Sequence, residues 1–193
     1  MKTIAVFFAN GFEMIEALTT VDLLRRAKQN VITVCVSSDS RGSTTVTSSH
    51  NVTINADIDF ESYIKKYGKN LPDCVVCPGG TVGSHNLQTK KLLDHLEDCN
   101  KANKIVAAIC ASPAVVLGNT NILKNKKWTC YPGMQDEAFS EYQKNYADER
   151  TVIQENVITA SGEGVSEEFS LTLVEMLVNK DEADRIKRTT LQR

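Results

Sequence analysis

The sequence predicts an α/β fold in which helices cover both faces of a mostly parallel β-sheet. Segments with strand character alternate along the chain with segments that have helical spacing of apolar residues. Two strand segments, Cys74–Cys77 and Ile105–Ile109, are apolar throughout, which is typical of central strands buried on both faces. The chain has 193 residues, 41% of them hydrophobic and 24% charged, which suits one globular unit. We therefore expect a single domain over residues 1–193.

The first third of the chain carries the predicted first strand, the first helix and a short insertion. Residues 3–9 are apolar and rich in aromatic and branched side chains, and the turn pair Asn10-Gly11 ends the run. Ile15, Leu18, Val21 and Leu24 then follow at helical spacing. The predicted elements are a strand over 3–9, a helix over 15–28, a strand over 31–36, an antiparallel pair over 44–46 and 52–54, and a helix over 57–66.

The remainder of the chain continues the alternation. Leu92, Leu96 and Cys99 share one face of a predicted helix, and Pro113 suits the first turn of another. Residues 166–179 are apolar around much of the helix circumference, so this helix is expected to be buried. The predicted elements are strand Cys74–Cys77, helix 89–103, strand Ile105–Ile109, short helix 113–117, strand Val157–Ala160, helix 166–179 and a polar helix over 181–190.

The charge balance argues against partners that are polyanions. Lys plus Arg is 22 and Asp plus Glu is 24, so no basic excess exists to bind a nucleic acid or an anionic membrane surface. The apolar run over residues 4–9 is far shorter than the roughly 20 residues that cross a bilayer, and too short for a secretory signal. We expect a cytoplasmic protein that binds neither nucleic acid nor membrane.

The cysteines and histidines give no sign of a metal site. Six cysteines in a cytoplasmic chain are expected to be free thiols. Cys74 and Cys77 have the spacing of a redox or zinc motif, but strand residues three apart point to opposite faces, which favours two packed core thiols. His50, His85 and His95 lack metal-ligand spacing and are expected at the surface. No metal and no cofactor are predicted.

The strongest candidate for a reactive residue is Cys110. Ligands of open parallel sheets bind beyond the carboxyl ends of the strands, and Cys110 follows the strand Ile105–Ile109 directly. The order strand, cysteine, helix is the cysteine form of a nucleophile elbow. A helix N-terminus beside the sulfur would lower the thiol pKa, so we expect Cys110 to be the most acidic thiol. A buried thiol between strand and helix fits the spacing equally well.

Other strand ends supply possible partners for this cysteine. Glu16 lies in the first turn of the first helix and should open onto the same crevice, where it could be protonated or move a proton. Glu13 and Glu16 could instead only complement the helix dipole, and spacing leaves both interpretations open. Gly79 and Gly80 could aim N–H groups at an oxyanion beside Cys110, or could form a plain turn.

Four segments together resemble a known family. Residues 11–16, 78–80, 107–113 and 162–164 read GFEMIE, PGG, AAICASP and GEG. In this order they resemble the ThiJ/PfpI superfamily, most closely its parkinsonism-associated deglycase (DJ-one) branch, over nearly the whole chain. The resemblance implies a flavodoxin-like three-layer α/β/α sandwich that forms a homodimer. An apolar first helix, which one sheet would leave partly exposed, also fits a homodimer.

The resemblance also implies roles for residues. Cys110 would be the nucleophile, with Glu16 as its protonated partner and proton shuttle. The oxyanion would be bound by the backbone of Gly79, Gly80 and Ala111. Tyr131 departs from the human-type branch, which has a histidine before the corresponding proline. Because a phenol is a poor base at neutral pH, Tyr131 is expected to be an auxiliary hydrogen-bond donor.

Two functions follow from the resemblance. The first is a cofactor-free glyoxalase III-type lyase or deglycase hydrolase that acts on small 2-oxoaldehydes such as methylglyoxal, or on glycated proteins, with a role in oxidative stress. The alternative is a redox sensor or chaperone in which Cys110 is oxidised to a sulfinate and turnover is small. Both functions depend on Cys110 and differ in turnover.

Overall fold

The strands of the protein form one large sheet and one small one. A computed structural model describes residues 1–36 and 42–192. The strands, in chain order, are β1 Thr3–Phe8, β2 Asn30–Cys35, β3 Thr45–Thr47, β4 Thr53–Asn55, β5 Ile58–Asp59, β6 Cys74–Cys77, β7 Ile105–Ile109, β8 Thr151–Gln154 and β9 Val157–Ala160. Strands β3 and β4 pair antiparallel as the predicted insertion.

The large sheet has seven strands in the order β5-β2-β1-β6-β7-β9-β8. All neighbours are parallel except β8 and β9. The predicted mostly parallel sheet is confirmed, and β6 and β7 lie inside it as expected. The antiparallel strand β8 was not predicted. It is an edge strand in which Val152 is buried while Ile153 is 49% exposed, so its apolar character is weak.

Helices flank both faces of this sheet. They are α1 Met14–Arg26, α2 Phe60–Tyr67, α3 Thr81–Leu87, α4 Lys90–Lys101, α5 Ser112–Val115, α6 Ser140–Gln143, α7 Ser166–Leu177 and α8 Lys180–Thr189. The sequence did not predict α3 or the one-turn α6. Helix α3 carries glycine, serine and asparagine instead of an apolar stripe, so contacts with the rest of the fold must stabilise it.

The two faces of the sheet pack into separate apolar clusters. Along β1, Ile4, Val6 and Phe8 face the side covered by α1, α7 and α8, whereas Ala5 and Phe7 face the side covered by α2 and α4. This is the period-two alternation of a strand. The architecture is the three-layer, flavodoxin-like sandwich that the sequence predicts.

The cysteines of β6 show the same alternation. Cys74 belongs to the cluster under α1 and Cys77 to the opposite one, which confirms that they are core thiols on different faces. All six cysteines of the chain are free and buried. Within the described ranges, no helix is both long and apolar enough to cross a membrane.

The prediction that all three histidines lie at the surface is wrong for His95. His50 and His85 are exposed, but His95 is only 5% exposed and its Nε2 lies 2.9 Å from the hydroxyl of Tyr63. His95 follows Leu92 on the inner face of α4, so the helix turns it toward the sheet. Burial lowers the pKa of His95 from 6.5 to about 4.

His95 is expected to make the fold less stable in acid. Its imidazole stays neutral in the folded state down to pH about 4 but accepts a proton near 6.5 when unfolded. The free energy of unfolding therefore falls as pH drops through this window, by about 1.4 kcal/mol per pH unit. In urea titrations, the free energy of unfolding of His95→Gln relative to that of the wild type should rise by this amount for each pH unit as pH falls from 6.5 to about 4. The exposed control His85→Gln should show no such change relative to the wild type. Equal pH dependence of the three proteins would contradict this account.

Helix α1 leaves apolar side chains in solvent, as expected. Ile15 is 50% exposed and Leu18 is 37% exposed. Both lie on the outer face of a helix whose opposite face packs on α7 and the sheet. A surface of this kind fits a contact between copies of the chain, and the homodimer stays a prediction.

Candidate active site

Cys110 lies at the carboxyl end of β7, at the turn that leads into α5. Its backbone has φ +64°, a left-handed conformation that is unusual for a residue with a side chain. Two hydrogen bonds hold the turn: the N–H of Cys110 donates to the carbonyl of Ala160 (2.9 Å), and the N–H of Tyr131 donates to the carbonyl of Cys110 (2.8 Å). The predicted sharp turn is present, and it projects the sulfur from the end of the sheet.

Glu16 is a buried acid beside this sulfur. It lies in the first turn of α1 and is fully buried. Its Oε2 accepts a hydrogen bond from the N–H of Gly79 (2.7 Å), whereas its Oε1 is buried with no hydrogen-bond partner in the described structure. Burial raises the pKa of Glu16 to about 8, despite the hydrogen bonds from Cys110 and Gly79. Glu16 therefore holds a proton at pH 7.

The two acids of the first loop have different roles. Glu13 caps α1, because its Oε1 accepts from the N–H of Ile15 (3.2 Å), and its Oε2 accepts from the hydroxyl of Ser49 (3.0 Å). Its own N–H donates to the carbonyl of Gly79 (2.9 Å), which ties the loop to the end of β6. Glu13 thus lies at the N-terminus of α1, where its charge complements the helix dipole, and Glu16 faces the sulfur.

Gly79 lets the acid and the thiol come together. A Cβ at this position would lie 2.5 Å from both the Cβ of Cys110 and the Oε2 of Glu16, so any side chain would separate the pair. Gly80 has φ +84°, where glycine is favoured, and its N–H donates to Cys110.

The three backbone N–H groups that were predicted to bind an oxyanion make different contacts. The N–H of Gly79 donates its hydrogen bond to the buried carboxyl of Glu16. It is therefore not free to bind an oxyanion, which corrects the prediction for Gly79. The N–H of Gly80 contacts the thiol. The N–H of Ala111, directly after Cys110, takes part in none of the hydrogen bonds of the described residues. Gly80 and Ala111 are the backbone donors available to a reacting group.

The expected low pKa of Cys110 is not found. Burial raises the pKa of this thiol, and charge on Glu16 raises it further, while the N–H of Gly80 lowers it. The helix that follows is a single turn, Ser112–Val115, so its dipole is weak. What distinguishes Cys110 is access: it is 7% exposed, whereas the other cysteines are 2% exposed or less.

Glu163 is a third acidic group at the site. It lies in the turn after β9, and its carboxylate, the Glu16 carboxylate and the Cys110 sulfur place one atom each within 4.8 Å of one another. In the described part of the chain this is the one group of three side chains that could share a metal ion. The sequence motif Gly162–Gly164 pointed to this turn, but nothing in the sequence assigned Glu163 to the thiol.

Tyr131 contacts the site through its backbone N–H, which donates to the carbonyl of Cys110. Its side chain is 45% exposed and its ring packs near Gly162, where an added Cβ would lie 3.3 Å from Cδ2. No hydrogen bond joins its hydroxyl to Cys110 among the residues that the structure describes. The role of Tyr131 as an auxiliary hydrogen-bond donor stays a prediction.

A buried acid, a cysteine on a left-handed turn and a glycine pair meet at the ends of parallel strands. Residues 2–176 match the DJ-1/PfpI family. The chain belongs to the DJ-1/PfpI family. The resemblance seen in the sequence motifs is thereby confirmed.

Individual members of the DJ-1/PfpI family are similar over the whole chain. Protein DJ-1 homolog B of Arabidopsis thaliana is 33% identical over 97% of this chain, which spans 41% of that protein. The glutathione-independent glyoxalase DJ-1 of Schizosaccharomyces pombe is 26% identical, with 98% of each chain covered. The structure of oxidized Toxoplasma gondii DJ-1 superposes with a TM-score of 0.88 at 30% identity, covering 99% of this chain and 98% of that one.

Proposed function

We propose that this protein is a cysteine-dependent, cofactor-free glyoxalase or deglycase that acts on methylglyoxal or its adducts. The observation that carries the proposal is the protonated Glu16, with one oxygen unpartnered, against the Cys110 thiol. The fission-yeast relative that is named a glutathione-independent glyoxalase supports the same chemistry.

The proposed reaction begins at Cys110. The sulfur attacks the aldehyde carbon of methylglyoxal, the C–S bond forms, and the thiol proton passes to the aldehyde oxygen to give a hemithioacetal. We expect the N–H groups of Gly80 and Ala111 to donate to that oxygen. Because the pKa of Cys110 is raised, its sulfur is protonated before the reaction. We propose that its reactivity comes from its proximity to the bound aldehyde and from transfer of the thiol proton to the aldehyde oxygen as the C–S bond forms.

Glu16 then moves a proton between adjacent carbons. In molecules whose Glu16 has released its proton to solvent, the carboxylate takes the proton from the former aldehyde carbon. The hydroxyl proton moves to the ketone oxygen, and Glu16 returns its proton to the neighbouring carbon, which converts the hemithioacetal to a lactoyl thioester. Water cleaves the thioester, which releases lactate and restores the thiol. A group with a pKa of about 8 lies within about a unit of neutral pH and can both take and give a proton there.

The decisive experiment is lactate formation from methylglyoxal. We expect the wild type to produce lactate without added glutathione, and Cys110→Ser to produce none above the uncatalysed rate. Cys130→Ser is the matched control, because that thiol is also buried but lies in the opposite core cluster, and it should keep its activity. Lactate formation that persists in Cys110→Ser would overturn the proposal.

A second candidate function uses the same pair without turnover. A protonated carboxyl beside the sulfur can donate a hydrogen bond to a sulfinate oxygen and so stabilise an oxidised Cys110. In this reading the protein senses oxidants or acts as a chaperone. Peroxide-dependent sulfinate at Cys110 in a protein that forms no lactate would favour it over the enzyme.

A further inference from the structure

Glu163 brings a negative charge to the mouth of the site. It belongs to the turn Glu163–Val165, and its side chain is exposed, unlike that of Glu16. A carboxylate oxygen of Glu163 lies within 4.8 Å of the Cys110 sulfur, close enough to contact anything bonded to that sulfur. Its negative charge raises the pKa of both Cys110 and Glu16.

No basic side chain neutralises this carboxylate. Among the described residues, neither Glu163 nor Glu16 takes part in an ion pair with lysine or arginine. The nearby Arg150 is paired with Glu168, at 2.8 Å, and its other contact in this region is the carbonyl of Gly164. The charge of Glu163 therefore acts on a substrate at Cys110 without being offset by a nearby cation.

The surface that leads away from Glu163 is also acidic. A groove of about 570 Å³ runs from Glu163 between α1, α7 and α8. Its lining includes five acidic side chains and two basic ones. One of those basic side chains is Arg150, already paired with Glu168 of the same lining. Asp184 of the lining is likewise paired, with Lys180 at 3.3 Å. Among the described residues of the lining this leaves three acids outside ion pairs, Glu163, Glu167 and Glu175, against the one cation Lys187, so the groove also carries an excess of negative charge.

We propose that Glu163 is a specificity-determining residue that selects the charge of the carbonyl substrate. The site admits neutral 2-oxoaldehydes, and adducts carried on ammonium or guanidinium side chains, and it rejects 2-oxo acids and other anionic carbonyl compounds. This inference rests on the proposed function for its substrates, but the charge selection itself is a property of the Cys110 environment and can be measured without turnover.

The test compares alkylating reagents of different charge at Cys110. Thiol attack on iodoacetamide (neutral), iodoacetate (anionic) and (2-bromoethyl)trimethylammonium (cationic) forms a C–S bond and expels the halide in each case. Removing Glu163 also changes the thiol pKa, but that change alters all three rates alike. The ratio of the rate constants for two reagents therefore reports only the effect of the Glu163 charge on reagents of different charge. Peptide mass spectrometry follows modification at Cys110 alone.

In Glu163→Gln, the iodoacetate-to-iodoacetamide ratio should rise about 3- to 10-fold, and the ratio for the cationic reagent should fall by a similar factor, at low ionic strength. Both shifts should shrink in about 0.5 M salt. Glu167→Gln is the matched control: this acid lines the groove on α7, outside the cluster at the sulfur, and its ratios should stay near wild type. Wild-type ratios in Glu163→Gln, or an equal shift in Glu167→Gln, would overturn the inference.

Turnover separates this inference from the proposed function. The anionic substrate for this test is 4,5-dioxopentanoate, a 2-oxoaldehyde with a remote carboxylate, whose product in the proposed reaction is 2-hydroxyglutarate. The ratio of its kcat/KM to that of methylglyoxal should rise about 3- to 10-fold in Glu163→Gln, the size expected for one interaction between unit charges. If the wild type forms lactate but the reagent ratios are unchanged in Glu163→Gln, charge selection is wrong and the proposed enzymatic function is retained. If the reagent ratios shift but the protein forms no lactate, charge selection is supported and the proposed enzymatic function is wrong.

Discussion

Glu16→Gln is expected to lower kcat for methylglyoxal about 100- to 10,000-fold, the usual contribution of a general acid–base group. Glutamine preserves the shape of the side chain and can still accept from the N–H of Gly79. It cannot take a proton from carbon and return it. The loss should therefore fall on kcat, with the hemithioacetal still forming at Cys110. Lactate release under saturating methylglyoxal, measured beside trapping of the protein adduct by mass spectrometry, checks both parts.

Tyr131→Phe is the matched comparison for this loss. The Tyr131 hydroxyl makes no hydrogen bond to Cys110 in the described structure, and a neutral hydrogen bond formed during the reaction is worth about 0.5–1.5 kcal/mol, or roughly ten-fold at most. Most activity should remain in this variant. Wild-type kcat in Glu16→Gln, with activity lost in Cys110→Ser, would remove the proton shuttle from the mechanism.

The same Glu16→Gln variant should be more stable than the wild type at neutral and alkaline pH. Glu16 releases its proton near pH 4.5 when unfolded but near 8 when folded, so the folded state binds the extra proton between these values. The free energy of unfolding of the wild type therefore carries a term that falls as pH rises, by about 1.4 kcal/mol per pH unit. Glutamine has no such term.

Chemical denaturation at several pH values measures this difference. Relative to its own value at pH 4.5, the stability advantage of Glu16→Gln should grow up to pH 8 and then level off. His95 has the opposite slope between pH 4 and 6.5, so the two terms offset each other in the wild type where their windows overlap. Glu16→Gln should expose the His95 slope. A constant difference between variant and wild type across pH would show that Glu16 does not titrate abnormally.

Much of the fold was predictable because its strands are short apolar runs. β6 and β7 are apolar at every position, and this pattern alone placed them inside a parallel sheet. Helix α3 was not predictable, because it depends on close tertiary packing: a Cβ on its Gly83 would lie 2.6 Å from the backbone nitrogen of Phe12. His95 was misplaced because a single polar residue does not reveal which face of its helix is buried.

The candidate site divides in the same way. Cys110 and Glu16 follow from one rule, that the ends of parallel strands share an edge of the sheet. The contact of Glu163 with that edge depends on the turn after β9, which no periodic pattern encodes. The pKa of Cys110 was predicted in the wrong direction, because the sequence showed a helix start after the cysteine but not that the thiol is buried and enclosed with acids.

The left-handed backbone of Cys110 also bears on how this position evolves. At φ +64° a residue with a side chain costs about 1–2 kcal/mol that glycine would not. With respect to backbone conformation, folding would thus favour glycine over cysteine at position 110. The cysteine is a residue that selection for chemistry must maintain against selection for stability. In a lineage that no longer used the reaction, position 110 is where drift toward glycine would begin.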